Sequence, residues 1–295
     1  MIEQHVDSHL AVITLNDGEH GNLLSLEGLG HLAAALDSSL HDPECRAILL
    51  RSNGPAFCLG MDLARLAESA AQEGQGTPAA PGKQASATEA ESAVAGYAEI
   101  LQAIFSAPLP VVSLVEGDVK AGGVGLACAC DIVVAGEQAS FELGEVIFGL
   151  IPANVLPYIL SLRMAPQKAR YLVMSSRRLS ASEALRVNLV DEVVSASDAE
   201  GRLREIFKRL MCSSPRALAA AKEFTAELFG TTPEEGGILA RRKLLEMMRD
   251  PATLEGVKAF QEGHMPPWFS RFKPGRPLSL AAKSSGQGGA KEGDR

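Results

Sequence analysis

The chain has 295 residues, of which 46% are hydrophobic and 22% charged, and these proportions are those of a soluble globular protein with a large core. The formal net charge of -8 and the pI near 5.4 argue against nucleic acid or an anionic membrane as the main partner. No apolar run is long enough to span a bilayer and no basic-then-apolar signal opens the chain, so we expect a cytoplasmic protein.

The cysteines predict buried thiols rather than a disulfide framework or a metal site. Their number is odd, several lie in apolar surroundings, and the pair Cys128 and Cys130 lacks metal-ligand spacing. The six histidines form no motif, so we expect neither a metal nor a resident cofactor. The five cysteines are Cys45, Cys58, Cys128, Cys130 and Cys212.

Strands and helices alternate over the first 60 residues. Residues 2–16 are predicted to form two strands, because apolar positions alternate at 10–15. Ser25 is a candidate N-cap for a helix in which leucines recur at helical spacing. A short buried strand at 46–51 is broken by the residues Ser-Asn-Gly-Pro at 52–55.

Residues 67–95 change the character of the chain. They are rich in Ala, Glu, Gln, Gly, Ser and Pro, and they predict a mobile surface excursion. Helical spacing returns from Tyr97 and ends at Pro108. Buried strands are predicted at 111–115 and 131–135.

The C-terminal part of the chain is predicted to be mainly helical. Polar and glycine-rich residues from Pro274 onward predict a disordered tail. We therefore divide the chain into an α/β core (1–199), a helical region (200–273) and a tail (274–295). The candidate helices are 155–163, 166–175, 181–188, 198–211, 215–229, 235–249 and 251–262.

A glycine-rich turn carries the most informative pattern. The run KAGGVGLACACD at 120–131 predicts a strand that turns sharply into a helix at Gly122 and Gly123. Small residues there leave backbone N–H groups open to a ligand, and a helix N-terminus favours negative charge. Glu145 follows, and a carboxylate near such a turn can move a proton beside a stabilised oxyanion. This arrangement suits chemistry next to a thioester carbonyl.

Several segments resemble, in order and in spacing, the motifs of the crotonase (enoyl-CoA hydratase/isomerase) superfamily. The likeness covers roughly residues 5–270. It implies an α/β fold, a spiral of ββα units with a C-terminal helical trimerisation region, and hence a homotrimer or hexamer. The segments are AFCLGMDL (56–63), GGVG (122–125) through CD (130–131), ASF (139–141), Glu145, FGLIP (148–152), and LSASEA (179–184) through LVD (189–191).

The resemblance also implies a thioester substrate on a phosphopantetheine arm, either of CoA or of an acyl carrier protein. Two backbone N–H groups, at the positions that match Met61 and Gly122, hold the thioester oxygen as it becomes an enolate. Because the α-proton of a thioester is only weakly acidic, this oxyanion must be stabilised. Leu59 and Gly123, beside these two amides, are candidate substrate-binding residues.

The chain departs from the family's hydratases at one catalytic position. The hydratases of the family use two glutamates to activate and deliver water. The position of the first matches Gly125, which has no side chain, and the position of the second matches Glu145. One carboxylate in an apolar pocket can still serve as acid and base, because burial raises its pKa. Asp62 is the best second acid/base candidate, with capping of the following helix as its alternative. Glu142 is expected to share a face with Gly144 rather than with Glu145.

Two further polar residues are candidates for substrate binding. Asn154 could hydrogen-bond a hydroxyl or carboxyl of the acyl group, or it could cap its own loop. Lys120 could pair with a second carboxylate on the substrate, or it could remain solvated.

The segments VKAGGVG (119–125) and FGLIPANVLP (148–157) look like those of the dehydratases of polyketide β-branching cassettes. This resemblance implies dehydration of 3-hydroxy-3-methylglutaryl-acyl carrier protein to the 3-methylglutaconyl thioester. An enoyl-CoA isomerase or hydratase that acts on a CoA thioester is an alternative, since one carboxylate suffices to shuttle a proton between two carbons. A non-catalytic acyl-thioester-binding protein is a third.

Overall fold

The computed structural model describes residues 2–62, 64–65 and 88–280. Its central sheet has six strands: Ile2–Asp7 (β1), Leu10–Leu15 (β2), Ala47–Ser52 (β3), Val111–Val115 (β5), Ile132–Gly136 (β7) and Glu192–Val194 (β10). They are ordered β1-β2-β3-β5-β7-β10. The β1–β2 pair is antiparallel, and every other neighbouring pair in this sheet is parallel.

Both faces of the central sheet are covered. Successive side chains of a strand point to opposite faces, and Ile13 and Ile48 lie in one apolar core while Val12 and Leu49 lie in the other. The strands β2, β3 and β5 are therefore buried at every position, as is typical of parallel sheets that carry helices on both faces.

A second sheet contains four short strands: Ala56–Cys58 (β4), Asp118–Lys120 (β6), Ser140–Glu142 (β8) and Leu179–Ser180 (β9), in that order. The strands alternate between the sheets, so that β3, β5 and β7 belong to the central sheet and β4, β6 and β8 to the second one. This alternation is the α/β spiral that the sequence predicts. The second sheet places the ends of β4, β6 and β8 side by side.

The helices are Leu26–His41 (α1), Glu89–Ser106 (α2), Gly122–Ala129 (α3), Leu156–Leu162 (α4), Pro166–Ser175 (α5), Ala181–Arg186 (α6), Ala199–Cys212 (α7), Pro215–Glu227 (α8), Pro233–Met248 (α9) and Pro251–Gln261 (α10), with 3-10 turns at Gly18–His20 and Glu145–Phe148. Ser25 caps α1 through the Gly28 amide, as predicted. Among the described helices, none has the length and apolar character needed to cross a bilayer.

The C-terminal helices leave large apolar side chains uncovered. α7 packs against the central sheet through Leu203 and Phe207, but α8 and α9 bury no side chain fully. The exposed residues of this region include Phe229, Ile238, Leu244, Met248, Leu254 and Phe260. Exposed apolar side chains of this kind are typical of protein contact surfaces, and assembly into a trimer or hexamer stays a prediction.

Two predictions about irregular segments need correction. The excursion predicted at 67–95 lies largely outside the described residues, but its last part is helical, because α2 begins at Glu89. A capping box between Thr88 and Glu91 fixes that start. The tail predicted to be disordered from Pro274 is docked as far as residue 280: Leu278 is buried in the second core, and Ser279 is fully buried. Residues 281–295 lie outside the described part of the chain.

Candidate active site

The chain after β4 presents the first of the two predicted amides. Leu24 bridges Met61 in parallel fashion: the Leu24 amide donates to the Gly60 carbonyl at 2.9 Å, and the Asp62 amide donates to the Leu24 carbonyl at 3.2 Å. In this parallel bridge Met61 is the residue opposite Leu24, and it contributes neither its N–H nor its C=O to the two hydrogen bonds. The N–H of Met61 therefore faces away from Leu24. Gly60, just before Met61, lies against the turn between β6 and α3.

The second amide belongs to the first residue of α3. Gly122 has no preceding helical carbonyl to bond, so its N–H takes no part in the hydrogen bonds within α3. Ala121, just before it, has φ 46° and ψ -118°, a conformation that costs an alanine about 1–3 kcal/mol. The turn is fixed by the Ala121 amide, which donates to the Glu142 carbonyl at 2.9 Å. The strained conformation of Ala121 sets the orientation of the peptide group that carries the Gly122 N–H.

The two amide segments lie in contact. Gly60 has φ +94°, and a Cβ added there would be 3.2 Å from the Gly122 nitrogen. Met61 and Gly122 both line the same cavity. The structure therefore brings together the two residues that the sequence assigns to oxyanion binding.

Gly123 does not line this cavity. It lies behind the turn, where a Cβ would come within 2.1 Å of the Cys58 carbonyl oxygen. The prediction that Gly123 contacts substrate is therefore wrong: its small size lets α3 rest directly on the end of β4.

We expect Gly123→Ala to lower both stability and activity. The clash is with backbone, which cannot rotate away, so α3 must move off β4 and the two amides separate. Overpacking of this kind costs about 1–3 kcal/mol, to be measured by urea unfolding. Gly96→Ala in α2 is the control, because its Cβ meets nothing within 4 Å and alanine favours a helix. Equal midpoints for the two variants would contradict this account.

Glu145 is the first residue of the 3-10 turn Glu145–Phe148 and lines the cavity. It is partly buried, and its buried Oε2 has no hydrogen-bond partner among the described residues. Burial raises the pKa of its carboxyl above the ordinary range. A carboxyl group with a raised pKa and an oxygen without a partner among the described residues is suited both to accept and to return a proton.

The cavity has a volume of about 590 Å³. Apolar side chains from the loop after Glu145 form much of its wall, and polar groups converge at the β6–α3 turn. Its residues are Leu23, Leu59, Met61, Asp62, Ala64, Val94, Tyr97, Lys120, Ala121, Gly122, Glu142, Gly144, Glu145, Ile147, Phe148, Leu150, Ile151, Pro152, Ala153, Asn154 and Val155. In the described part of the chain no group of acidic, His and Cys residues could hold a metal ion.

Three of the predicted polar residues line the cavity but already have partners in the chain. Asp62 Oδ1 accepts from the Arg65 amide at 3.2 Å, which is the capping alternative. Asn154 Nδ2 donates to the Val94 carbonyl at 3.2 Å and so ties its loop to α2. Lys120 Nζ lies 3.5 Å from Glu142 Oε2. These contacts leave Asp62 Oδ2, Asn154 Oδ1 and further N–H groups of Lys120 as the atoms with which the three side chains could meet a ligand.

Two further placements test the sequence analysis. Leu59 lines the cavity, as predicted for a substrate-binding residue. Glu142 lies beside Gly144, as expected, because a Cβ added to Gly144 would be 3.4 Å from Glu142 Oε1. The expectation that Glu142 does not share a face with Glu145 is wrong, because both residues line the cavity. The reason is that β8 ends at Glu142 and Gly144 has φ -104° and ψ 7°, so the strand's alternation does not continue to Glu145.

Tyr97 is a cavity residue that sequence reasoning missed. It was assigned only to the apolar face of a helix, and its ring is indeed almost fully buried. Its hydroxyl donates to the Gly122 carbonyl at 2.5 Å, and a Cβ added to Gly125 would lie 2.1 Å from Tyr97 Oη. The Tyr97 hydroxyl thus fills the space that a side chain at position 125 would occupy.

Met61, Gly122 and the partly buried Glu145 line one cavity on a two-sheet α/β spiral. Two candidate oxyanion amides beside a carboxyl group are typical of enzymes that move a proton beside an acyl carbonyl. The model of the enoyl-CoA hydratase/isomerase family matches residues 5–271, and the chain belongs to this family. It is a crotonase-like enzyme of the hydratase and dehydratase class.

Individual relatives agree with this family. The chain is 34% identical over 235 residues to a carnitinyl-CoA dehydratase of Salmonella typhi. The aligned region covers 78% of this chain and 84% of that protein. Among solved structures it is similar to an enoyl-CoA hydratase from Bacillus anthracis, with 27% identity, a TM-score of 0.77 and coverage of 90% and 97% of the two chains. An enoyl-CoA hydratase/isomerase from Marinobacter aquaeolei gives 25% identity, a TM-score of 0.78 and coverage of 90% and 98%.

Proposed function

We propose that this protein dehydrates a 3-hydroxyacyl thioester to the 2-enoyl thioester. The observation that carries the proposal is the Glu145 carboxyl, whose buried Oε2 lacks a partner among the described residues and which lines one cavity with Met61 and Gly122. The names of the relatives, a carnitinyl-CoA dehydratase and an enoyl-CoA hydratase, support a thioester of CoA as the substrate.

The reaction assigns one role to each group. The amides of Met61 and Gly122 donate to the thioester oxygen, and the Glu145 carboxylate removes the α-proton, so the electron pair moves onto that oxygen. When the carbonyl re-forms, the α–β double bond forms and the C3–O bond breaks. Glu145, now protonated, returns the proton to the departing hydroxyl, which leaves as water. The steps involve no net oxidation, and they require no group beyond the chain and the thioester.

A more specific version concerns the acyl group and its carrier. We propose 3-hydroxy-3-methylglutaryl on an acyl carrier protein as one substrate to test, with 3-methylglutaconyl thioester as product. Lys120 supports it, because its ammonium lies in the cavity and could exchange Glu142 for the second carboxylate of that acyl group. The carboxylate of Glu142 beside Lys120, and that of Asp62 elsewhere in the cavity lining, favour an uncharged acyl group instead.

The test is intact-mass analysis of a panel of thioesters. 3-Hydroxybutyryl-CoA, 3-hydroxy-3-methylglutaryl-CoA and 3-hydroxy-3-methylglutaryl carrier protein are each incubated with the enzyme, beside an active hydratase as positive control. We expect loss of water from at least one of them. If the carrier-protein substrate alone is inert, the specific version is rejected. If all three are inert, the dehydratase proposal is rejected.

A double-bond isomerase is the second candidate. What favours it is that Gly125 supplies no second carboxylate, and isomerisation requires only one group to move a proton between two carbons. An ultraviolet assay on 3-enoyl-CoA separates the two reactions. Rapid conversion there, with no dehydration in the panel, would replace the first proposal with this one. Binding without any turnover would favour a thioester-binding protein.

A further inference from the structure

Tyr97 lines the cavity, and its hydroxyl occupies the space in front of Gly125. Tyr97 extends from α2, and its Oη lies 2.1 Å from the position that a Cβ of residue 125 would take. Any larger residue at position 125 would collide with it. The two residues therefore form a complementary pair: the glycine leaves room, and the tyrosine brings a polar atom from another helix into that room.

This hydroxyl has a defined orientation. Its proton is donated to the Gly122 carbonyl at 2.5 Å, and a phenol that donates a hydrogen bond keeps its oxygen lone pairs available as acceptors. Donation to a carbonyl also strengthens the hydroxyl as an acceptor for a second bond. Burial raises the pKa of Tyr97 well above its usual range, so the phenol stays neutral and does not compete with Glu145 for protons.

The position of Tyr97 matches the needs of a 3-hydroxyl group. It contacts Gly122, whose amide is assigned to the thioester oxygen, and it lines the same cavity as Glu145. We propose that Tyr97 binds the 3-hydroxyl of the acyl chain by accepting its O–H, and thereby holds the leaving oxygen toward the Glu145 carboxyl. This inference rests on the proposed function, since only a 3-hydroxyacyl thioester carries that group.

The test separates hydroxyl recognition from turnover. In a Glu145→Gln background, which binds ligand without converting it, affinities for 3-hydroxybutyryl-CoA and butyryl-CoA are measured by calorimetry. These ligands differ only in the 3-hydroxyl. We expect the hydroxylated ligand to bind about 10-fold more tightly with Tyr97 present, and with equal affinity after Tyr97→Phe, since one such hydrogen bond is worth about a factor of 10.

Tyr158→Phe is the matched control. Tyr158 lies on α4, packs edge-on against Phe105, and its hydroxyl bonds Gln102 at 3.4 Å outside the cavity. It should leave the affinity ratio unchanged. If Tyr97→Phe weakens both ligands equally, Tyr97 acts only by supporting the Gly122 peptide, and the proposal is overturned. An unchanged ratio overturns it as well.

The same measurement distinguishes this inference from the proposed function. If the wild-type enzyme dehydrates no thioester but the affinity ratio depends on Tyr97, the reaction assigned above is wrong and the hydroxyl site stands. If dehydration occurs and the ratio is independent of Tyr97, the reaction stands and the hydroxyl site is wrong. In the wild-type background we also expect Tyr97→Phe to slow dehydration about 10–100-fold, which follows from the same bond.

Discussion

The Glu145→Gln variant will dehydrate a 3-hydroxyacyl thioester about 10³-fold more slowly than the wild-type chain, in line with the usual contribution of a positioned acid/base group. Glutamine keeps the shape of the side chain but can neither accept the α-proton nor return it to the leaving hydroxyl. The rate is measured in single turnover, so that product release does not conceal the chemical step.

The control for Glu145→Gln is Glu99→Gln, an exposed glutamate on α2. It makes the same chemical change, and we expect the wild-type rate. Thioester affinity should stay within about threefold in Glu145→Gln, because the amides of Met61 and Gly122 remain. A variant that retains more than a tenth of the wild-type rate would show that Glu145 is not the principal proton carrier.

The same substitution has a predictable effect on stability. The pKa of Glu145 is raised by burial above its ordinary value of 4.5, so the folded chain binds this proton more tightly than the unfolded chain. Stability therefore falls as pH rises from about 4.5 to the raised pKa, and glutamine avoids that loss. Glu145→Gln should have a higher Tm than wild type at pH 7.5, with the difference shrinking below pH 4.5. A lower Tm at pH 7.5 would contradict the burial argument.

The α/β character of the core was predictable from local signals, and its spiral arrangement from the resemblance to the crotonase superfamily. Continuous apolar strands such as 111–115 require cover on both faces, and the turn at Gly122 marks where a strand leads into a helix. The sequence predicts the end of α2, at Pro108, but not its beginning. Thr88 and Glu91 form a capping box there, and that signal lies next to a stretch whose composition resembles a loop.

The site was predictable mainly where its segments resemble those of the crotonase superfamily. That resemblance assigns Met61, Gly122 and Glu145, and the structure gathers them in one cavity. The role of Tyr97 could not be predicted from the sequence. It depends on α2 packing against α3 opposite Gly125, and such a long-range contact leaves no periodic pattern in the sequence. Gly123 shows the reverse error, since a glycine needed for close packing has the same sequence signature as one needed for a ligand.

The C-terminal strap (residues 274–280) should contribute more to stability than its polar composition suggests. Leu278 is buried in the core between the central sheet and α7. The strap carbonyls of residues 277 and 278 accept from the buried Arg51 guanidinium at 2.9 and 2.8 Å. The amides of residues 278 and 279 donate to Glu200 Oε2 at 2.7 and 2.9 Å, and Ser279 Oγ donates to Glu116 at 2.9 Å.

Two truncated chains measure this contribution: one ends at Lys273, and the other ends at Leu280 and keeps the whole strap. Burying Leu278 is worth about 2 kcal/mol, and hydrogen bonds to charged groups add about 1.5–3 kcal/mol each before the entropy of ordering the strap is subtracted. We expect the shorter chain to be less stable by about 3 kcal/mol in urea unfolding, with a nearly unchanged m-value. Equal urea midpoints for the two chains would contradict this expectation. They would mean that water hydrogen-bonds Arg51 and Glu200 as well as the strap does, and that burying Leu278 adds no net stability.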